Sequence, residues 1–207
     1  MRERLLDLIE RSGVGAVVLR RPENFAWYTR GGNSRVEYAA PEGVADVVVT
    51  PDAEWVLTST IEAPRVRSEE ARGFEVVEYA WEEGPAEALR ELVGDVRIGA
   101  DVPLGGAPRC YGSGEAAGAA PGIDLREELS ALRRILDAEA IERLRGIGAD
   151  LTAALAEVAG GLAPGMTEHA AAGHLADACR TRGLVPTVLL AATHERIARY
   201  RHPLPTG

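Results

Sequence analysis

Val47-Val-Val-Thr-Pro-Asp-Ala-Glu-Trp-Val-Leu-Thr58 consists of two β-branched, apolar runs separated by turn residues. Pro51 presets φ for the first turn position and Asp52 follows it, so the segment predicts a tight connection between two strands, Asp46–Thr50 and Trp55–Ser59. So short a connection joins antiparallel neighbours. Ala16–Leu19 and Phe25–Thr29 upstream, and Phe74–Tyr79 and Val96–Ala100 downstream, share the same short apolar character and are expected as further strands. Helical patterns fall between them at Arg4–Arg11, Ile61–Arg72 and Pro85–Val93. Strands alternating with helices imply an α/β domain, and the hairpin makes its sheet mixed.

Further along, the composition changes. Between Leu104 and Gly122 lie six glycines and two prolines, the strongest boundary signal in the chain. Asp124-Leu-Arg-Glu127 then has the pattern of a capping box, and Leu125, Leu129, Leu132 and Leu136 follow on one helical face. Asp137 opens a longer helix in which Ile141, Leu144, Leu151, Leu155 and Val158 continue the period up to the Pro164-Gly165 stop. Thr167 caps a third helix expected to run to Gly183, Val188–Ala192 reads as a strand, and His194–Tyr200 as a turn or second strand. The expected organisation is a first domain over 1–123, a linker helix over 124–136 and part of a second domain over 137–207.

Composition removes several function classes. All 23 basic residues are arginine, and neither lysine nor glutamine occurs among the 207 residues. Schiff-base, P-loop and kinase-type lysine chemistry is therefore impossible. A net charge of −9 opposes binding to a phosphate backbone, so no nucleic-acid partner is expected. No window approaches the ~20 apolar residues of a membrane span, and Met1–Arg11 is charged and amphipathic rather than a signal sequence. The expected location is cytoplasmic, with no membrane partner. Cys110 and Cys179 stand far apart without a CxxC pair, which gives no sign of a disulfide scaffold or a structural zinc site.

Most motifs have plain readings. Gly112-Ser-Gly114 with Gly118 looks like a dinucleotide loop, but Val96–Ala100 ends well before it and Pro121 follows, so a linker is expected. His169 and His174 are five apart and diverge by roughly 140° on a helix, which does not make a zinc pair. Glu139, Glu142 and Glu157 sit among arginines and predict a solvated, ion-paired face. No Gly-x-Ser-x-Gly elbow is present. The informative segment is the last, where Arg196, Arg199, Tyr200, Arg201 and His202 precede Pro203-Leu-Pro205. Guanidinium groups beside an imidazole suit a carboxylate-bearing substrate. The same residues equally suit an exposed edge whose charges prevent aggregation.

Three stretches resemble the pita-bread metallopeptidase family of creatinase, prolidase and aminopeptidase P. They are Asn24-Phe-Ala-Trp-Tyr-Thr29 with Gly31-Gly32, the 47–58 segment with Ile61-Glu-Ala-Pro-Arg65, and Leu132-Arg-Arg-Ile-Leu-Asp-Ala-Glu-Ala-Ile-Glu142 together with Leu162-Ala-Pro-Gly-Met-Thr-Glu168. The resemblance implies a creatinase N-terminal-like mixed sheet with flanking helices, followed by the opening helices of a pita-bread α+β domain. It implies hydrolysis of Xaa-Pro peptides with a divalent metal (manganese, cobalt or zinc) held by two aspartates, a histidine and two glutamates. Those ligands would lie beyond the Arg-His-Pro-Leu-Pro-Thr206 segment, so none is assigned here, no cofactor is expected to be bound by this chain, and the chain is expected to be inactive alone. His202 corresponds to a substrate-pocket histidine, while Arg196, Arg199 or Arg201 would pair with the carboxylate of a small peptide or amino-acid-like substrate. A helix face without its covering sheet makes a homo-oligomer the expected state. Two alternatives remain open: a non-catalytic dimerisation or binding module, and a metal-free, creatinase-like C–N hydrolase.

Overall fold

β-Branched runs bounded by turns become strands here, as their composition demands. In the computed structural model of the protein, which describes residues 1–102, 104 and 122–207, they are β1 (Ala16–Leu19), β2 (Ala45–Val49), β3 (Glu54–Ser59), β4 (Glu75–Tyr79), β5 (Ile98–Ala100) and β6 (Ile123–Asp124). The hairpin forms with Ala45 opposite Thr58 and Val49 opposite Glu54. Its turn is closed by the Thr50 N–H on the Ala53 carbonyl at 2.9 Å, and Thr50 Oγ1 accepts from the Ala53 N–H at 3.1 Å. The sheet order is β4-β3-β2-β1-β5-β6. β2 runs antiparallel to both of its neighbours, β1 and β3, whereas β3 with β4, β1 with β5 and β5 with β6 run parallel. The sheet is mixed, as the hairpin requires.

The helices of this part are α1 (Arg2–Ser12), α2 (Pro22–Tyr28), the single turn α3 (Ala63–Arg65), α4 (Ala86–Val93) and α5 (Arg126–Arg133). Strand period 2 sends alternate side chains to two cores. Val17, Leu19, Val47 and Val49 pack with Leu5 and Leu8 of α1, Phe25 of α2 and Leu125 and Leu129 at α5. Ala16, Val18, Val48 and Leu57 pack with Leu89 and Val93 of α4 on the other face. Because β1 and β2 are buried on both faces, Ala16–Leu19 and Val47–Val49 read as continuous apolar runs rather than alternating ones, with the buried Asp46 as the exception in β2.

Four expectations need correction. Phe25–Thr29 is not a strand: Phe25–Tyr28 lie within α2 and Thr29 is its C-cap. Pro22 at the helix start presets φ, and Asp101 beyond β5 holds the approach to the helix from a distance, accepting the Arg20 N–H at 2.8 Å, the Arg21 N–H at 3.0 Å and, from the first turn, the side-chain Asn24 Nδ2–H at 2.7 Å. Burial pushes the Asp101 carboxyl upward and the charge of Asp46 adds to this, while its three hydrogen bonds pull it back. Ile61–Arg72 is broken into α3 and a π-helical turn, Val66–Glu70. The capping box does not form either. Leu125 is the N-cap of α5 without a side-chain bond, and Asp124 closes β6 and accepts from the Arg126 N–H at 3.0 Å. Gly99 makes this junction possible, since a Cβ there would lie 2.2 Å from Leu125 Cδ1.

The described residues divide into two units, Met1–Ile135 and Leu136–Gly207. In the second, α6 (Ala138–Gly161) and α7 (Glu168–Arg180) are capped as expected, by Asp137 accepting from the Ala140 N–H at 2.8 Å and Thr167 from the Ala170 N–H at 3.1 Å. They pack through Ala154, Ala178 and Cys179, with Val158, Leu175 and Leu184 around them. Leu144, Ile147, Leu151 and Leu155 of α6 stay exposed. Glu139 and Glu142 pair with Arg143 and Arg145, and Glu157 with Arg182, as a solvated face should. The fourth correction concerns the end of the chain: Val188–Ala192 is not a strand, and the His194–Tyr200 segment contains a short helix, α8 (Arg196–Arg199). No helix among the described residues is long and apolar enough to cross a membrane. Cys110 and the Gly112–Gly118 motif lie outside the described residues.

Candidate functional site

The last fourteen residues before Gly207 are organised by a side chain that the sequence marks only as a helix-start acid. Glu168 opens α7 next to its cap Thr167, and its side chain is just 5% exposed. One carboxylate oxygen accepts from the Thr193 N–H at 2.8 Å, the Thr193 hydroxyl at 3.0 Å and Arg196 Nε–H at 3.2 Å. The other accepts from the Thr206 N–H at 3.0 Å and the Thr206 hydroxyl at 2.9 Å. Burial alone would raise this carboxyl, but the donors of Thr193 and Thr206 stabilise the anion and bring it down to about 2. The His169 N–H adds a bond to the Thr206 carbonyl at 3.2 Å.

Between these anchors the chain turns at His194, whose φ of 52° is left-handed, and enters α8. Arg196 sends its second guanidinium nitrogen to the Leu204 carbonyl at 2.8 Å. The guanidinium carbons of Arg196 and Arg199 lie 5.3 and 5.4 Å from the Tyr200 ring centroid, which gathers two of the predicted residues around one aromatic face. Arg199, Arg201 and His202 are exposed. Arg196 is half-buried and tied into the backbone of its own segment. Such a surface can attract an anion and offer donors to it. Among the described residues no group of three or more His, Cys, Asp or Glu could hold a metal ion, so they do not fit the five-ligand set that the resemblance implies.

Glu168 is the residue that sequence reasoning missed. Its partners stand 25 to 38 positions away, and the visible signals, Thr167 before it and an acid in the first helical turn, explain the helix start but not the loop.

Residues 1–103 match the family model of the creatinase/prolidase N-terminal domain. The chain carries a creatinase/prolidase N-terminal domain. Solved structures share the fold of this domain and of the helices that follow it. An Xaa-Pro dipeptidase from Bacillus anthracis aligns with a TM-score of 0.63 at 19% identity, over 87% of this chain and 48% of its own. An X-Pro aminopeptidase from Thermotoga maritima MSB8 gives 0.61 at 21%, over 88% and 49%. A prolidase from Pyrococcus furiosus gives 0.61 at 15%, over 87% and 52%. The chain therefore spans about half the length of these structures. Comparison with curated proteins finds no match.

Proposed function

We propose that the protein serves the hydrolysis of Xaa-Pro peptides, as the N-terminal portion of a prolidase- or aminopeptidase P-like metallopeptidase. The observation that carries this reading is the creatinase/prolidase N-terminal domain over residues 1–103. The described residues do not fit a divalent metal, so the contribution of this chain is recognition of the substrate. His202 donates a hydrogen bond to the peptide, and the guanidinium groups of Arg199 and Arg201 offer the charge that pairs with its terminal carboxylate, while Arg196, the third arginine of the segment, is engaged by Glu168 and the Leu204 carbonyl. The exposed apolar side chains of α6 support self-association as the state in which the protein works.

Calorimetric titration of the whole chain with the dipeptide Ala-Pro tests the recognition step. Saturable binding is expected on the order of millimolar, with a loss of about tenfold in His202→Ala and in the Arg199→Ala/Arg201→Ala double variant. Equal binding by all three proteins would overturn the assignment.

A further inference from the structure

We propose that Glu168 is a positioning residue: its carboxylate clasps both ends of the 193–206 segment, closing it into a preformed loop that sets where Arg199, Arg201 and His202 stand. The ligand of those three groups rests on the reading above; the clasp does not. Holding the ends of a long segment together costs chain entropy that local contacts must offset. Here the offset is concentrated on one side chain. Each carboxylate oxygen takes the N–H and the hydroxyl of a single threonine, Thr193 on one and Thr206 on the other, so each end is gripped twice. The His169 N–H to the Thr206 carbonyl fastens the same end to the helix backbone.

The chemistry of the clasp is specific to an ionised carboxylate. All five groups donate to Glu168, so an acceptor with two equivalent oxygens satisfies them, whereas an amide would set its own N–H against the backbone N–H of Thr206 or of Thr193, which cannot turn to accept as a hydroxyl can. Nor is Glu168 occupied in capping α7, because Thr167 Oγ1 already takes the Ala170 N–H at 3.1 Å. Arg196 acts as a strut inside the loop, running from Glu168 on one side to the Leu204 carbonyl on the other. It therefore belongs to the scaffold, and the groups left to meet a ligand are Arg199, Arg201 and His202.

Hydrogen exchange of the whole chain, followed amide by amide without any ligand, tests the clasp separately from the peptide-binding reading. In Glu168→Gln the Thr193 and Thr206 amides should exchange about tenfold faster or more, while the Ala154 and Cys179 amides keep their protection. The Arg196 Nε–H resonance should move toward its free position in the same variant. Thr206→Val should open the Thr206 end alone, and Thr206→Ser, which restores the hydroxyl, should bring protection back. Should Glu168→Gln unfold the entire second unit, the Thr206→Val and Thr206→Ser pair decides the matter by the same criterion. Faster exchange limited to His169 and Ala170, with Thr193 and Thr206 unchanged, would overturn the proposal and leave Glu168 a helix-start acid.

Discussion

Asp101 and Glu168 are both buried carboxylates that accept several hydrogen bonds, yet the fold shifts them in opposite directions. Asp101 lies in the interior of an α/β unit, where burial and the charge of Asp46 outweigh three donors. Glu168 meets five donors, one of them the cation of Arg196, and they outweigh its burial. Removing Asp101 would strand the N–H groups of Arg20 and Arg21 and the amide of Asn24, so Asp101→Ala should lower the stability of the first unit by about 3 kcal/mol. Denaturant unfolding followed by tryptophan fluorescence measures this directly, because Trp27, Trp55 and Trp81 all lie in that unit; a loss below about 1 kcal/mol would contradict the role of Asp101 as the shared acceptor of these three groups. For Glu168 the folded pKa lies below the ordinary carboxylate value, so its stabilisation is complete above about pH 4.5 and fades as the pH falls toward 2. Its side-chain carbonyl resonance should titrate with a midpoint near 2, and a midpoint of about 4.5 would show that the donors do not act on the anion. Neither residue announces its role in the sequence, because every partner except the immediate neighbours is distant along the chain.

At the level of elements, legibility followed locality. The hairpin, the strands Ala16–Leu19 and Glu75–Tyr79 and the caps of α6 and α7 rest on signals within a few residues of each other, and these formed where expected to within a residue. Phe25-Ala-Trp-Tyr28 failed because aromatic residues suit strands and outweighed the competing signal, Pro22 followed by Glu23 in a first helical turn, while the bonds to Asp101 from the approach of that helix are distant along the chain. Val188–Ala192 has strand composition, but a ladder also needs a neighbour, and composition does not specify one. The α5 face was legible in part: Leu129 is fully buried and Leu125 nearly so, whereas the helix ends at Arg133 and Leu136, beyond it, is exposed. Leu129→Ala should therefore cost about 3 kcal/mol in the same fluorescence assay, and a cost below about 1 kcal/mol would mean that α5 is not part of the first core. The apolar period of α6 was equally plain, yet Leu144, Leu151 and Leu155 are 42–53% exposed. Dimers or larger species are accordingly expected by light scattering at micromolar concentration. Leu144→Glu/Leu151→Glu should shift them toward monomer, and a strictly monomeric parent protein would remove α6 as an association surface.

At the scale of the whole molecule, the fold and the chemistry part company. The creatinase/prolidase N-terminal domain was recognisable because its hairpin, helix order and linker motifs are local patterns, whereas activity depends on groups that converge from many places in a chain. A two-metal hydrolytic centre needs several carboxylate and imidazole ligands around ions ~3.5–4 Å apart. Glu139, Glu142 and Glu157 of α6 are instead paired with Arg143, Arg145 and Arg182, and both oxygens of Glu168 already accept from hydroxyl, amide or guanidinium donors. The 207-residue protein should therefore bind manganese, cobalt or zinc only weakly and without defined stoichiometry, and should not release alanine and proline from Ala-Pro when manganese is supplied. Calorimetry with manganese and a proline-release assay check the two halves of this statement independently. Stoichiometric tight binding, or turnover that disappears in His202→Ala, would show that the ligands had been misplaced and that a working centre is already present in this chain.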